Sequence, residues 1–201
     1  MSKGLKIGLG ILGVVVLFII LIVSWVTSKY NSFVGLNENV KSGWSQVENV
    51  YQRRADLVPN LVATVKGVAN FEKETYTAVT EARAKVGQIK LTADQLSDPA
   101  MIQKFQAAQD GLGSALSRLL VVSENYPQLK ASENFQTLQQ QLEGTENRIT
   151  VERQKYNQIA AEFNTAIKKF PGVIIANFGG FKEKEYFKAA AGSEQVPKVQ
   201  F

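Results

Sequence analysis

The sequence contains no cysteine, no histidine and only five prolines among its 201 residues. Without thiols or imidazoles there is no disulfide, no thiolate nucleophile, no imidazole general base and no zinc site built on sulfur or nitrogen ligands. Much of hydrolytic and redox catalysis is excluded with them. A lipid-acylated cysteine is excluded too, while the compartment stays open, because a chain without thiols tolerates reducing and oxidising surroundings alike. Fifteen glycines and five prolines are also few for a disordered chain or a turn-rich all-β domain. Ala, Gln, Glu, Lys, Leu and Val dominate instead, which favours long helices and an all-α fold.

A strong excess of one charge is missing as well. The formal charge is +5, and Lys3 and Lys6 supply two of those positive charges ahead of everything else. The remaining Lys and Arg are mixed with nearly as many Asp and Glu, with no basic stripe carrying aromatics. No nucleic-acid partner is expected.

One long apolar run is present. From Ile7 to Val26 the chain reads IGLGILGVVVLFIILIVSWV, twenty residues without a charge. A helix of that length spans about 30 Å, the thickness of a hydrocarbon core. The run is longer than a secretory signal and no A-x-A-like site follows, so it is expected to be an uncleaved anchor contacting membrane lipid through residues 7–26. Trp25 and Tyr30 stand where an interfacial aromatic belt would fall. Lys3 and Lys6 against Lys29 and Lys41 lean toward a cytoplasmic N-terminus and an extracytoplasmic domain on a bacterial cytoplasmic membrane.

Beyond the anchor, apolar residues recur at Phe33, Leu36, Val40, Trp44, Val47 and Tyr51, the spacing of one helix face. The membrane helix is therefore expected to continue into the soluble domain. The stretch NVYQRRADLVPNL, Asn49 to Leu61, then raises a choice. Pro59 lacks an N–H, and Asp56 is a good N-cap, so one helix could end here and a second run from Asp56 to Val86. Arg53 and Arg54 would then either close the first helix or grip an anion. Gly87 ends the second helix, and a loop follows to Ser97–Asp98–Pro99, a helix start. A third stripe runs Ile102, Phe105, Ala108 or Gln109, Leu112, Leu116, Leu119. Ser132 is expected to cap the longest helix, striped by Phe135, Leu138, Leu142, Thr145, Ile149, Glu152, Tyr156, Ile159 and Phe163 and stopped by Pro171–Gly172.

These stripes specify an elongated antiparallel bundle of about four long helices. The divisions are an anchor (1–28), a bundle (29–172) and a tail (173–201) that packs on the bundle, lies at the membrane interface or joins a neighbouring subunit. The ending VPKVQF could add as a strand to a partner's sheet.

The run from Tyr30 to Gly67, with WSQVENVYQRRADLVPNLV at its centre, resembles the LemA family of bacterial membrane proteins. VTEARAKV (79–86), NFQTLQQQLEGTENRITVERQKYN (134–157) and GFKEKEYFKAAAGSEQVPKVQF (180–201) extend the likeness along nearly the whole chain after the anchor. The resemblance implies a single-pass, largely helical protein without an established activity, placed beside membrane proteases in the envelope. It also marks Trp44, Gln46, Glu48, Asn49, Gln52, Arg53, Arg54, Asp56, Pro59 and Asn60 as a motif denser in polar groups than a helix joint needs. With Glu81 and Arg83 on the next helix, these residues form the expected interaction surface. No catalytic residue, cofactor or metal ligand is assigned. Glu48 and Asp56 could pair as acids, but no nucleophile or phosphate loop accompanies them. The leading expectation is a non-catalytic, membrane-anchored scaffold or adaptor, possible partners being further copies of the chain, a membrane protease or another envelope protein. The alternative is a membrane-binding or membrane-shaping module.

Overall fold

The computed structural model describes residues 3–68 and 72–188. They form α1 (Lys3–Lys66), α2 (Lys73–Gly87), a 3-10 turn (Asp94–Ser97), α3 (Pro99–Ser123), α4 (Pro127–Lys130), α5 (Glu133–Lys168) and α6 (Gly172–Phe178). No strand occurs among the described residues. The all-α bundle with a continuing membrane helix is as the stripes require.

α1 is 64 residues long, about 96 Å at 1.5 Å per residue. It is the longest helix, not α5, which has 36 residues. The large apolar side chains from Ile7 to Val26 are all exposed, with no protein over them. This is the one described helix long and apolar enough to cross a membrane. From Phe33 onward the buried face begins, and no break separates anchor from bundle.

The expected joint at Asp56–Pro59 is absent, because Pro59 lies inside α1. A proline removes the bond to the carbonyl four residues earlier, here that of Ala55. Arg83 Nε donates to that carbonyl at 2.8 Å. A side chain from α2 thus supplies the bond that the proline deletes, and the helix passes through. Asp56 caps nothing; it accepts from Gln52 Nε2 at 2.7 Å. The real change of direction comes at Gly67, where Gly67 N still reaches Ala63 O and Val68 N tightens onto Val65 O. The expected helix from Asp56 to Val86 is therefore two antiparallel pieces, the end of α1 and α2.

Other boundaries follow local chemistry. Asp98 caps α3, accepting from Ala100 N at 2.9 Å and Met101 N at 3.4 Å, with Pro99 in the first turn. Ser132 stands before α5 as expected, but its hydroxyl makes no capping bond.

Ring and polar contacts fix an up-down-up-down arrangement. Trp44 meets Tyr156 and Arg54 meets Glu146, so α1 and α5 are antiparallel. Tyr51 meets Phe105 and Arg54 meets Gln109, so α1 and α3 are parallel. The core divides into two apolar clusters. One, nearer the membrane, holds Phe33, Trp44, Tyr51, Phe105, Tyr156, Phe163 and Phe187. The distal one holds Leu61, Val65, Val79, Leu112, Leu119, Phe135 and Leu138.

The chain reverses after α6, and only residues 173–188 of the tail are among those described. α6 ends in a Schellman turn, with Phe181 N bonded to Ala176 O at 3.0 Å, Gly180 N to Asn177 O at 3.3 Å, and Gly180 at φ 72°. The reversed chain, residues 181–188, lies as an extended strap along α5. Two asparagines seven residues apart each hold both backbone polar groups of one strap residue. Asn164 receives Lys184 N and donates to Lys184 O, both at 2.8 Å. Asn157 receives Phe187 N and donates to Phe187 O, both at 2.9 Å. Seven helical residues rise about 10.5 Å and three extended residues about 10 Å, so the two spacings match. The VPKVQF ending lies outside the described residues.

Candidate functional site

The motif residues divide between the interior and the surface. Trp44 is 3% exposed and Arg54 4%, so neither belongs to an accessible surface. The Trp44 ring stacks on Phe187 at 5.8 Å with an 11° interplanar angle and meets Phe105 and Tyr156 edge-on. Arg54 occupies the boundary between the two apolar clusters. Its Nη2 donates to the side-chain oxygen of Gln109 at 2.8 Å and to the Gln109 carbonyl at 2.9 Å. Its Nη1 pairs with Glu146 Oε2 at 2.9 Å, and its guanidinium lies 5.2 Å from the centre of the Tyr51 ring. Thr145, 2% exposed, turns its hydroxyl back to Gln141 O at the same level of α5. Arg54, Gln109 and Thr145 are a polar layer inside the bundle. Of the two roles open to Arg54, it does not close a helix, which runs on to Lys66, and the anion it holds is the chain's own Glu146.

Burial pushes the Tyr51 phenol above its ordinary pKa, although Arg153 and Arg54 oppose the shift. Burial raises Tyr156 still further, with Glu185 and Tyr186 adding to it.

The exposed members of the motif lie on the opposite side of α1. Gln46, Arg53 and Asn60, seven residues apart, follow one another along its exposed ridge. Glu48, Asn49 and Gln52 instead turn toward α2 and, with Arg83, Lys90 and the edge of Tyr51, line a groove of about 480 Å³. The groove presents one carboxylate, three amides and two cations over an aromatic floor of Tyr51 and Phe105. Asp56 borders this face through its bond to Gln52, and Glu81 is exposed on α2. Such a lining offers hydrogen bonds and charge to a polypeptide segment. Among the described residues no group of three or more His, Cys, Asp or Glu that could hold a metal comes together.

Lys90 and Glu146 were missing from the sequence reading, and Gln109 and Thr145 entered it only as stripe positions. Gln109 and Thr145 had a signal, since both fall on the apolar stripes where a hydrophobic residue is due. Glu146 and Lys90 had none.

An apolar span that runs without interruption into a four-helix bundle, carrying a polar groove well above the bilayer, defines a membrane-anchored helical-bundle protein. The sequence profile of the LemA family matches residues 43–201. The chain belongs to the LemA family. It is similar to magnetosome protein MamQ of Magnetospirillum gryphiswaldense, 30% identical over 192 residues, covering 88% of this chain and 71% of that protein. It is equally similar to magnetosome protein MamQ 2 of Paramagnetospirillum magneticum, 30% identical over 189 residues, covering 86% and 70%. Protein LemA of Metamycoplasma hominis is 25% identical over 142 residues, covering 71% and 61%.

Proposed function

We propose that the protein is a non-catalytic scaffold or adaptor of the bacterial envelope, which holds a protein partner at a set height above the cytoplasmic membrane, on its extracytoplasmic side. The observation that carries this reading is the continuity of α1 from Lys3 to Lys66. Glu48 stands 22 residues past Val26, about 33 Å along a rigid helix. A flexible linker would let the groove sample many heights; this rod holds one. The groove between α1 and α2 and the ridge of Gln46, Arg53 and Asn60 are the recognition surface. The partner that fits is an envelope protein with an extramembrane domain of comparable height, such as a membrane protease, and a further copy of the chain is the competing occupant. The sequence shared by relatives named for the magnetosome and a relative from a mycoplasma supports a framework role over one dedicated reaction.

A photocrosslinking residue at Gln52 or Arg53, in living cells at native expression, is the test. It should yield an adduct with a membrane protein, lost when Glu48 and Lys90 are both replaced by the opposite charge with helicity retained. An adduct only with the chain itself would make the protein a homo-oligomer first. No adduct from either position would end the adaptor reading. A probe at buried Arg54 would report contacts inside the bundle instead.

A further inference from the structure

The most exposed large apolar side chains outside the span are Phe178, 92% exposed, and Phe170, 82% exposed; Ile174 between them is 49% exposed. All three sit on or beside α6. Exposed aromatics at this density call for an explanation in a bundle that buries Phe33, Phe105, Phe135, Phe163 and Phe187.

Their position supplies one. α6 is tied to the first turns of α1 beyond the span. A side chain at Gly172 would touch the Phe33 ring, one at Gly179 would touch Tyr30, and the Phe181 ring lies 5.5 Å from Tyr30 and 5.7 Å from Phe33. Tyr30 and Phe33 follow Val26 by four and seven residues, about 6 and 10 Å of helix. Half the difference between a bilayer with and without its headgroups is about 5–7 Å, so the Tyr30 end of α6 falls at headgroup depth and its Phe33 end at the outer edge of that layer.

Beside it, a hollow of about 570 Å³ opens between the feet of α1 and α5. Its polar lining is Lys29, Lys169, Ser32 and Thr165, with Glu162 at one side and Phe170 and Phe33 as apolar wall. Lys29, Lys169 and Lys182 form no ion pair among the described residues, whereas Lys168 is taken by Glu183 at 2.6 Å. Free cations around exposed aromatics, at the level of the phosphates, match the surface of a bilayer carrying anionic lipid. A second copy docked here would bring the same lysines against each other.

We propose that α6 is a second, interfacial membrane contact: Phe170, Ile174 and Phe178 insert among the headgroups of the bilayer that α1 crosses, and a lipid phosphate sits in the hollow between Lys29 and Lys169. The bundle then stands on two points, which fixes its tilt and rotation as well as its height. This goes beyond the adaptor reading and does not depend on it.

Because the chain lacks cysteine, a single Asn177→Cys variant of the full-length protein can carry an environment-sensitive fluorophore beside the foot, with Val121→Cys at the distal end as control. In nanodiscs of phosphatidylcholine and phosphatidylglycerol, lipids nitroxide-labelled near the headgroup should quench the label at 177 several-fold more than at 121. Phe170→Ser with Phe178→Ser should lower the quenching at 177 several-fold and open that label to aqueous iodide at unchanged helicity, since neither ring is packed inside the bundle. Lys29→Gln with Lys169→Gln should remove the preference for phosphatidylglycerol over phosphatidylcholine alone. A label at 177 as open to aqueous iodide as that at 121 would overturn the proposal. A label shielded from iodide and from lipid alike would overturn it in favour of a second copy.

Discussion

Arg83 on α2 donates from Nε to the carbonyl of Ala55 on α1 at 2.8 Å, the carbonyl that Pro59 leaves without its helical donor. Replacing Arg83 with Met should leave that buried acceptor unpaired and cost about 1–3 kcal/mol. Pro59→Ala restores the N–H, so the same Arg83→Met change made on the alanine background should cost under about 1 kcal/mol. Chemical unfolding of the four proteins of this cycle, followed by helicity in detergent, measures the coupling. Equal costs on both backgrounds would mean that the bond does not sustain the helix through Pro59.

Arg54 and Glu146 differ in how much each should matter. Arg54 has a side chain 5% exposed and Glu146 one that is 59% exposed. Removal of the glutamate leaves Arg54 its two bonds to Gln109 and its place over Tyr51, so Glu146→Gln should cost about 1 kcal/mol. Arg54→Ala empties a buried site and strands the Gln109 side-chain oxygen and carbonyl, with an expected loss of about 2–4 kcal/mol. Lysine should not rescue it, because a point charge cannot bridge Gln109 and Glu146 as a planar fork does. Thermal unfolding of the three variants decides this, and a paired loss of Arg53 and Arg54 would report folding before it reported any partner.

Most of the architecture was legible because it is written in spacing. The stripe Trp44, Val47, Tyr51 continues through Arg54 to Val58 and Leu61 in unbroken steps of three and four, which marks Arg54 as a core position despite its charge. The same steps carry Gln109 and Thr145 into the interior, so the polar layer was readable as three polar residues on three apolar stripes. What could not be read was rescue from elsewhere in the chain. Pro59 is a local stop signal, and nothing near it announces that Arg83, 24 residues later, will supply the missing bond. The groove between α1 and α2 was hidden for a related reason: Glu48–Ala55 and Arg83–Lys90 face each other only because the chain reverses after Gly67, inside what sequence patterning read as one helix from Asp56 to Val86.

The asparagine pair on α5 makes a sharper forecast for the strap. Asn164 holds both the N–H and the carbonyl of Lys184, which an aspartate cannot do, since a carboxylate has no donor for the carbonyl. Asn164→Ala should therefore release the Lys184 amide and speed its hydrogen exchange by at least about tenfold, corresponding to about 1.4 kcal/mol of local stability. Asn164→Asp should fall between, and the Phe187 amide, held by Asn157, should change less in both. Uniform acceleration along residues 181–188 would instead show that the strap opens as one unit.

Tyr156 should behave as a buried group that costs stability at neutral pH and more at high pH. It is fully buried, and its hydroxyl has no hydrogen-bond partner among the described residues, so Tyr156→Phe should stabilise the protein by about 1 kcal/mol or more. Its folded pKa is raised above the ordinary 10.0 by burial, with Glu185 and Tyr186 acting in the same direction. Below pH 10 both folded and unfolded tyrosine keep the proton and stability does not change. Above it the unfolded chain ionises first, so stability falls as pH rises toward the folded value. Tyr51 is shifted the same way by burial and should retain its share of the decline. Urea unfolding at pH 8 and pH 10.5 should therefore show a larger loss for the natural protein than for Tyr156→Phe. Equal losses would mean that Tyr156 ionises alike in both states and that its ring does not stay sealed in the core.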